Sequence, residues 1–219
     1  MTSDRQSQMK QILDFIANGL NIVDPNRVDI RGSLQVGNSV YVDINVIFIG
    51  TVVLGDNVKI GPGCVINNAT INKNTQIKEY SSVEGSEIGE ECTIGPYARI
   101  RPSSNIGSGS QIGNFVEIKN TVMGNGCKIN HHSFIGDAIL GLDVIIGAGC
   151  ITCNFDGKNT VVTIVDNKAY IGAGVQLVAP IKIGASATIG AGSTITEDVN
   201  ENSTVLARSR QITIKNGIV

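Results

Sequence analysis

An aliphatic residue returns at almost every sixth position of this chain, and few folds accommodate such a step. The beat runs through Val36, Val42, Leu54, Ile60, Ile66, Ile71, Ile77, Val83, Ile88, Ile94, Ile100, Ile106, Ile112 and Ile118. It continues at Met123, Ile129, Ile135, Leu140 and Ile146, breaks, and resumes at Ile171, Leu177, Ile183, Ile189 and Ile195. Glycine often follows, as in Leu54-Gly55, Ile88-Gly89, Ile112-Gly113 and Ile189-Gly190. An amphipathic helix repeats its apolar positions every three or four residues, and a half-buried strand every two, so neither explains this step. A hexapeptide β-helix does. Each coil of about 18 residues has three short strands, the aliphatic side chain points inward, and glycine or a small polar residue eases each corner. A β-sandwich would show longer strands and irregular loops instead. With strands stacked about 4.8 Å apart, some eight coils make a prism about 40 Å tall. The predicted class is an all-β solenoid.

Composition agrees with thin aliphatic layers: aromatic residues are 4% of the chain, there is no tryptophan, and glycine numbers 26. Two segments are expected. Residues 1–30 hold an amphipathic helix and its lead-in, with Met9, Ile12, Leu13, Ile16 and Leu20 at helical spacing and Gly19 and Pro25 at its end. Residues 31–219 hold the β-helix, with an inserted loop near 153–169, "CNFDGKNTVVTIVDNKA", and a C-terminal tail. An insertion into a regular solenoid is usually functional or part of an interface.

The net charge of −2 and the lack of a long basic run argue against nucleic acid as a partner. No stretch of about 18 apolar residues spans a bilayer, and "MTSDRQSQMK" lacks a signal peptide's apolar core, so a cytoplasmic location is expected. The five cysteines at 64, 92, 127, 150 and 153 are then reduced. "CITC" has no second pair or βαβ context, and its cysteines read as packing residues. Two adjacent histidines cannot supply the three or more ligands of a zinc site, so no catalytic metal is expected.

Three positions invite chemistry. Arg101 and Lys119 each follow a beat by one and lie one coil apart, so they stack on one edge. With no obvious carboxylate between them they suit an anion. His131 and His132 are the only histidines. Either the pair is surface decoration or one member is a base. His131 follows Ile129 by two as Ala148 follows Ile146, which places those two residues side by side along the axis.

"CTIGPYARIRP", "QIGNFVEIKN", "GAGCITCNFDGKN", "VQLVAP" and "ATIGAGSTIT" occur in that order. Together they resemble the acetyltransferase half of the bifunctional N-acetylglucosamine-1-phosphate uridyltransferase/glucosamine-1-phosphate acetyltransferase family, from the leading helix to the tail. The resemblance implies a left-handed parallel β-helix, against the usual crossover hand, and a homotrimer with sites at subunit interfaces. It also implies acetyl-coenzyme A as donor, an amino sugar phosphate as acceptor, and a place in UDP-N-acetylglucosamine synthesis for the cell envelope. In that pattern His131 is the general base, a role that imidazole suits in proton transfer near neutrality, and His132 belongs to the surface or an interface. Arg101 and Lys119 hold the sugar phosphate. Ala148 presents its backbone N–H to the thioester carbonyl. Asn154, Ala173, Ala191 and Arg208 contact coenzyme A, with Ala173 standing where the family has serine. No nucleotide-binding βαβ unit precedes the repeat, so uridyl transfer is expected to be absent.

The acceptor side departs from the family. Phe134 replaces a tyrosine, Ile145 an asparagine and Thr160 a lysine, although Lys158 is close by; Phe155 also replaces a tyrosine. Each lost polar contact weakens sugar binding by about 1–3 kcal/mol where its partner stays buried. The expected activity is N-acetylation of glucosamine 1-phosphate or a related amino sugar. Sugar O-acetylation and a catalytically silent trimeric scaffold are the alternatives.

Overall fold

A computed structural model describes residues 3–213. Residues 1–2 and 214–219, the outer ends of the segments 1–30 and 31–219, lie outside the described residues. The beat becomes the inner wall of a three-sided parallel solenoid. Eleven short strands, from Asn21–Ile22 to Thr204–Val205, stack as the first face. A second sheet of 15 strands makes the other two faces. Long strands such as Val28–Val36, Val46–Leu54, Glu117–Met123 and Phe134–Leu140 bend round the corner and join them.

Register explains the period. Ile60 pairs with Ile77, Ile77 with Ile94, Ile94 with Ile112, Ile112 with Ile129, and Ile129 with Ile146. Like therefore stacks on like, and each of these side chains is buried. Full burial of one such side chain contributes about 1.5–3 kcal/mol, so the inward column fixes which residues sit above one another outside. The corners turn through left-handed backbone, and asparagine, serine and aspartate hold many of them, as at Asn57, Asn68, Asn74 and Asp143. Small polar residues thus share the corner role with glycine, as the sequence suggested.

The helix Ser3–Ala17 closes the N-terminal end of the solenoid. Ile12 is fully buried, Phe15 and Ile16 pack on the first coil, and Leu20 joins the core just past the helix. Arg5 fastens the helix through the Asn26 carbonyl at 2.7 Å, the Val28 carbonyl at 2.9 Å and the Asp29 carboxylate at 2.9 Å. The apolar stripe is narrower than its spacing suggested, because Leu13 is 53% exposed.

Three boundaries differ from the sequence reading. The first coil begins at Asn21, inside the segment 1–30, because Asn21–Ile22 already pairs with Tyr41–Val42. Eleven rungs, not eight coils, then give a height of about 48 Å. The inserted loop is also shorter than 153–169. Thr163–Val165 rejoins the wall beside Ala138–Leu140, and the excursion between Cys153 and Thr163 is closed by a bridge between Phe155 and Thr160.

The inward cysteines pack as small apolar residues. Cys64, Cys92, Cys127 and Cys150 are buried, and their Sγ atoms meet main-chain carbonyls, including Lys78 O at 3.0 Å and Gly172 O at 3.0 Å. Burial pushes the Cys64 thiol up to about 11 and also raises that of Cys150. The raised thiol of Cys150 does not suit a thiolate in "CITC".

Candidate active site

His131 ends the strand Lys128–His131, where the first face turns into the second. Its neighbour one rung toward the N-terminus is Asn114. Imidazole Nδ1 lies 2.6 Å from Asn114 Oδ1. An amide oxygen can only accept, so Nδ1 carries the proton and Nε2 keeps its lone pair. The corner behind the ring is tied down: Ser133 Oγ donates to the His131 carbonyl at 3.0 Å, the Gly149 N–H reaches that same carbonyl at 3.2 Å, and Cys150 N donates to Ser133 Oγ at 3.2 Å. His132 has a different place. Its left-handed φ of 48° turns it onto the ring of Phe115, centroids 5.1 Å apart, at the top of an exposed column continuing through Tyr97 and Tyr80.

Above His131 the same corner is bare. Gly147-Ala148-Gly149, Gly172-Ala173-Gly174 and Gly190-Ala191-Gly192 stack on successive rungs. The Gly174 N–H donates to Ala148 O at 2.7 Å, and the Gly192 N–H to Ala173 O at 2.8 Å. The three rungs themselves carry nothing larger than a methyl group, so a slim extended ligand can lie against the main chain up to Gly190, over which the Leu206 side chain folds. The N–H of Ala148 has no acceptor among the described residues. At the upper end Ala207 is anchored by Thr194 N and Ser193 Oγ, both 3.1 Å away, which leaves exposed Arg208 at the head of the strip. Ala148, Ala173 and Ala191 thus share one column with His131, Ala207 continues it, and exposed Arg208 is the next residue along the chain.

The expected anion site is different from its sequence reading. Arg101 and Lys119 do stack one coil apart, but both have carboxylate partners. Arg101 Nη1 is 2.8 Å from Glu117, and Lys119 Nζ is 3.7 Å from Asp137. Glu117 precedes Ile118 and Asp137 follows Ile135 by two, so both enter from neighbouring columns.

Asp137 organises a cluster the sequence reading missed. It is 6% exposed and accepts from Asn120 Nδ2 at 2.6 Å and from Asn154 Nδ2. The Asn154 amide, expected on coenzyme A, is therefore directed at Asp137 and anchors the start of the inserted loop. At the loop's far turn, the N–H groups of Asn159 and Lys158 hold the Asp156 carboxyl below its ordinary range. A usable signal for the cluster existed: Asn120 and Asp137 each follow an inward isoleucine by two, the same offset as Asn114 and His131.

Phe134 opens the strand that follows His131, and Ile145 lies one rung above Lys128 on the first face. The Phe134 ring folds across Gly136 toward Asn154, so no side chain fits at position 136 without moving that ring. Ile145 is 40% exposed between Lys128 and Tyr170. Below the imidazole, His131 lines a groove of about 450 Å³ with the amides of Gln111, Asn114 and Asn130, and Lys78 is among its lining residues.

Comparison with known proteins agrees with this architecture. A family model described as the GMPPB C-terminal domain matches residues 26–104. The bifunctional protein GlmU of Psychrobacter sp. (strain PRwf-1) is 52% identical over 209 residues, 95% of this chain and 46% of the relative. GlmU of Wigglesworthia glossinidia brevipalpis is 43% identical over 214 residues, 98% of this chain and 46% of the relative. The chain thus spans just under half the length of the curated relatives it matches. Among solved structures, the UDP-N-acetylglucosamine acyltransferase of Francisella novicida superposes with a TM-score of 0.57 at 19% identity, covering 85% of this chain and 66% of that one, which shows a shared fold. Over nearly its whole length the chain is thus similar to just under half of the bifunctional GlmU proteins, and it shares the fold of a UDP-N-acetylglucosamine acyltransferase.

Proposed function

We propose that this protein is an acetyl-coenzyme A-dependent N-acetyltransferase acting on a phosphorylated amino sugar, working in the cytoplasm as a homotrimer with its sites in the crevices between subunits. One observation carries the reading: an imidazole with a free Nε2 stands one rung below an unpaired backbone N–H, at the foot of a strip without side chains. The strip suits the thin pantetheine arm of the donor, and Arg208 at its head suits the nucleotide phosphates.

The chemistry follows from the line of residues. Nε2 of His131 takes a proton from the sugar amine as the nitrogen lone pair attacks the thioester carbonyl carbon. The carbonyl oxygen becomes an oxyanion, and the Ala148 N–H donates to it. The carbon–sulfur bond then breaks, the thiolate leaves and takes up the proton, and the amide remains on the sugar. A positioned base typically contributes about 10²–10⁴ in rate. His131→Ala should therefore lower kcat for thiol release by at least about 100-fold while the subunit assembly stays unchanged by light scattering. Wild-type turnover in that variant would refute the assignment. Amino and hydroxyl sugars assayed side by side decide between N- and O-acetylation, and silence with both would mark a scaffold. The apolar flank of Phe134 and Ile145 favours an acceptor less polar there than glucosamine 1-phosphate.

A further inference from the structure

The corner that carries His131 has a second column, one residue further along the chain. From the lower end of the solenoid upward it holds Asn45, Gly63, Tyr80, Tyr97, Phe115, His132, Gly149, Gly174 and Gly192. Every one of them has a left-handed φ. Glycine and asparagine reach that backbone at little cost, and bulky side chains do not. Yet on four consecutive rungs the column carries rings. The turn does not require them, because glycine makes the same turn directly below Tyr80 and directly above His132.

The rings form a ladder. Centroids are 5.2 Å apart from Tyr80 to Tyr97, 5.4 Å from Tyr97 to Phe115 and 5.1 Å from Phe115 to His132. Stacking offsets part of the backbone strain, but Tyr80, Tyr97 and Phe115 remain 56%, 47% and 54% exposed. An aromatic side chain buries about 150–250 Å² when covered, so these three half-open rings present about 200–400 Å². One partner in a stable interface contributes about 800 Å². The ladder has the size of the apolar centre of such a seam.

Spacing identifies the partner. A straight row with one ring per rung fits a surface that has the same rise along one axis, and another copy of this solenoid has it. Identical chains closed about an axis parallel to their solenoids hold equal rungs at equal height. The ladder of each copy can then run along its neighbour over its whole length. The catalytic column is adjacent, since Asn114 and His131 immediately precede Phe115 and His132. A copy seated on the rings stands beside the imidazole, as a site in a crevice between subunits requires. Val122 and Ile139, exposed on adjacent rungs, lie instead on the third face, across the prism from this corner.

We infer that Tyr80, Tyr97, Phe115 and His132 form the seam along which copies of this chain assemble. The inference rests on the homotrimer reading above and gives that assembly its contact surface.

The double variant Tyr97→Asn/Phe115→Asn tests it. Asparagine suits the left-handed corner, as Asn45 does in the same column, so the solenoid should stay folded by circular dichroism. Should the spectrum change, Phe115→Asn alone carries the same expectation. Light scattering and sedimentation velocity follow the mass on dilution. The concentration at which half of the chains have dissociated should rise at least about tenfold, as loss of central aromatic contacts does at interfaces. Tyr97→Phe keeps the ring and should dissociate like the wild type. So should Val122→Thr/Ile139→Thr on the third face. A folded double variant that keeps the wild-type mass at every dilution, or weakening in the third-face variant instead, overturns the seam and leaves the homotrimer reading standing. A monomeric wild type overturns that reading, and the seam with it.

Discussion

Replacing Asn114 by alanine isolates one contact and leaves the scaffold alone, because the residue faces the groove and its main chain stays in the ladder with His131. Before reaction, Asn114 accepts a neutral hydrogen bond from Nδ1 at 2.6 Å. As the proton moves to Nε2, the ring becomes imidazolium and the same bond becomes charge-assisted. Neutral bonds contribute about 0.5–1.5 kcal/mol and those to charged groups about 1.5–3 kcal/mol. The difference, about 1.4 kcal/mol, appears only in the transition state and corresponds to about tenfold in rate. Asn114→Ala should therefore lower kcat about tenfold with little change in the donor KM. Asn114→Asp adds a negative charge beside Nδ1, which favours the protonated ring and raises its pKa in the folded enzyme. The base is then lost to protonation at a higher pH, so the ascending limb of the kcat–pH profile should move upward. Thiol release followed from pH 5 to 9 measures both effects. A kcat within twofold of wild type in Asn114→Ala, together with an unmoved limb in Asn114→Asp, would refute the claim that Asn114 sets the tautomer.

Two further outcomes follow from packing. Asp137→Ala strands the buried amide of Asn154, while exposed Asn120 can turn to water; an unsatisfied buried group costs about 1–3 kcal/mol, so the melting temperature should fall by about 2–10 °C. Hydrogen exchange at the Val161 N–H, which closes onto the Asn154 carbonyl, should quicken in the same variant. Ala173→Leu places a branched side chain on the bare strip. It should raise the donor KM about tenfold, as lost ligand contacts of about 1.4 kcal/mol would, and leave the acceptor KM near its original value; an unchanged donor KM would move the donor off this corner.

The periodicity made much of this molecule legible, because burial of identical side chains sets a register that cannot slip without exposing a whole column. That is why Ala148 could be placed beside His131, and Lys119 beside Arg101, by counting alone. The count failed where the pattern was disguised. Ile22, Val28 and Ile30 belong to the first coil but sit beside helix-like sequence, so the solenoid begins earlier than the beat list suggested. Thr163–Val165 rejoins the wall with one aliphatic residue outward, and the loop therefore read as too long. The partners of Arg101, Lys119, His131 and Asn154 went unseen for a different reason. Outward side chains have no periodic signature, and contacts between adjacent columns depend on how each side chain leans.

The order of residues along this single corner lets outward positions near the proposed acceptor change without disturbing the proposed donor strip. Inward packing fixes height and register, and outward residues on different rungs share little beyond the main chain. The proposed donor strip occupies the rungs of Ala148, Ala173 and Ala191, the groove lined by Asn114 and Asn130 lies on the rungs below, and His131 stands where they meet. A change at Phe134 or Ile145 alters what touches the sugar without disturbing any atom of the strip above. Energetic coupling between such sites needs shared contacts, and here the imidazole and its corner are the main ones. A solenoid enzyme of this kind can exchange its acceptor by substitutions on a few outward rungs, while thioester binding and proton transfer persist on the others.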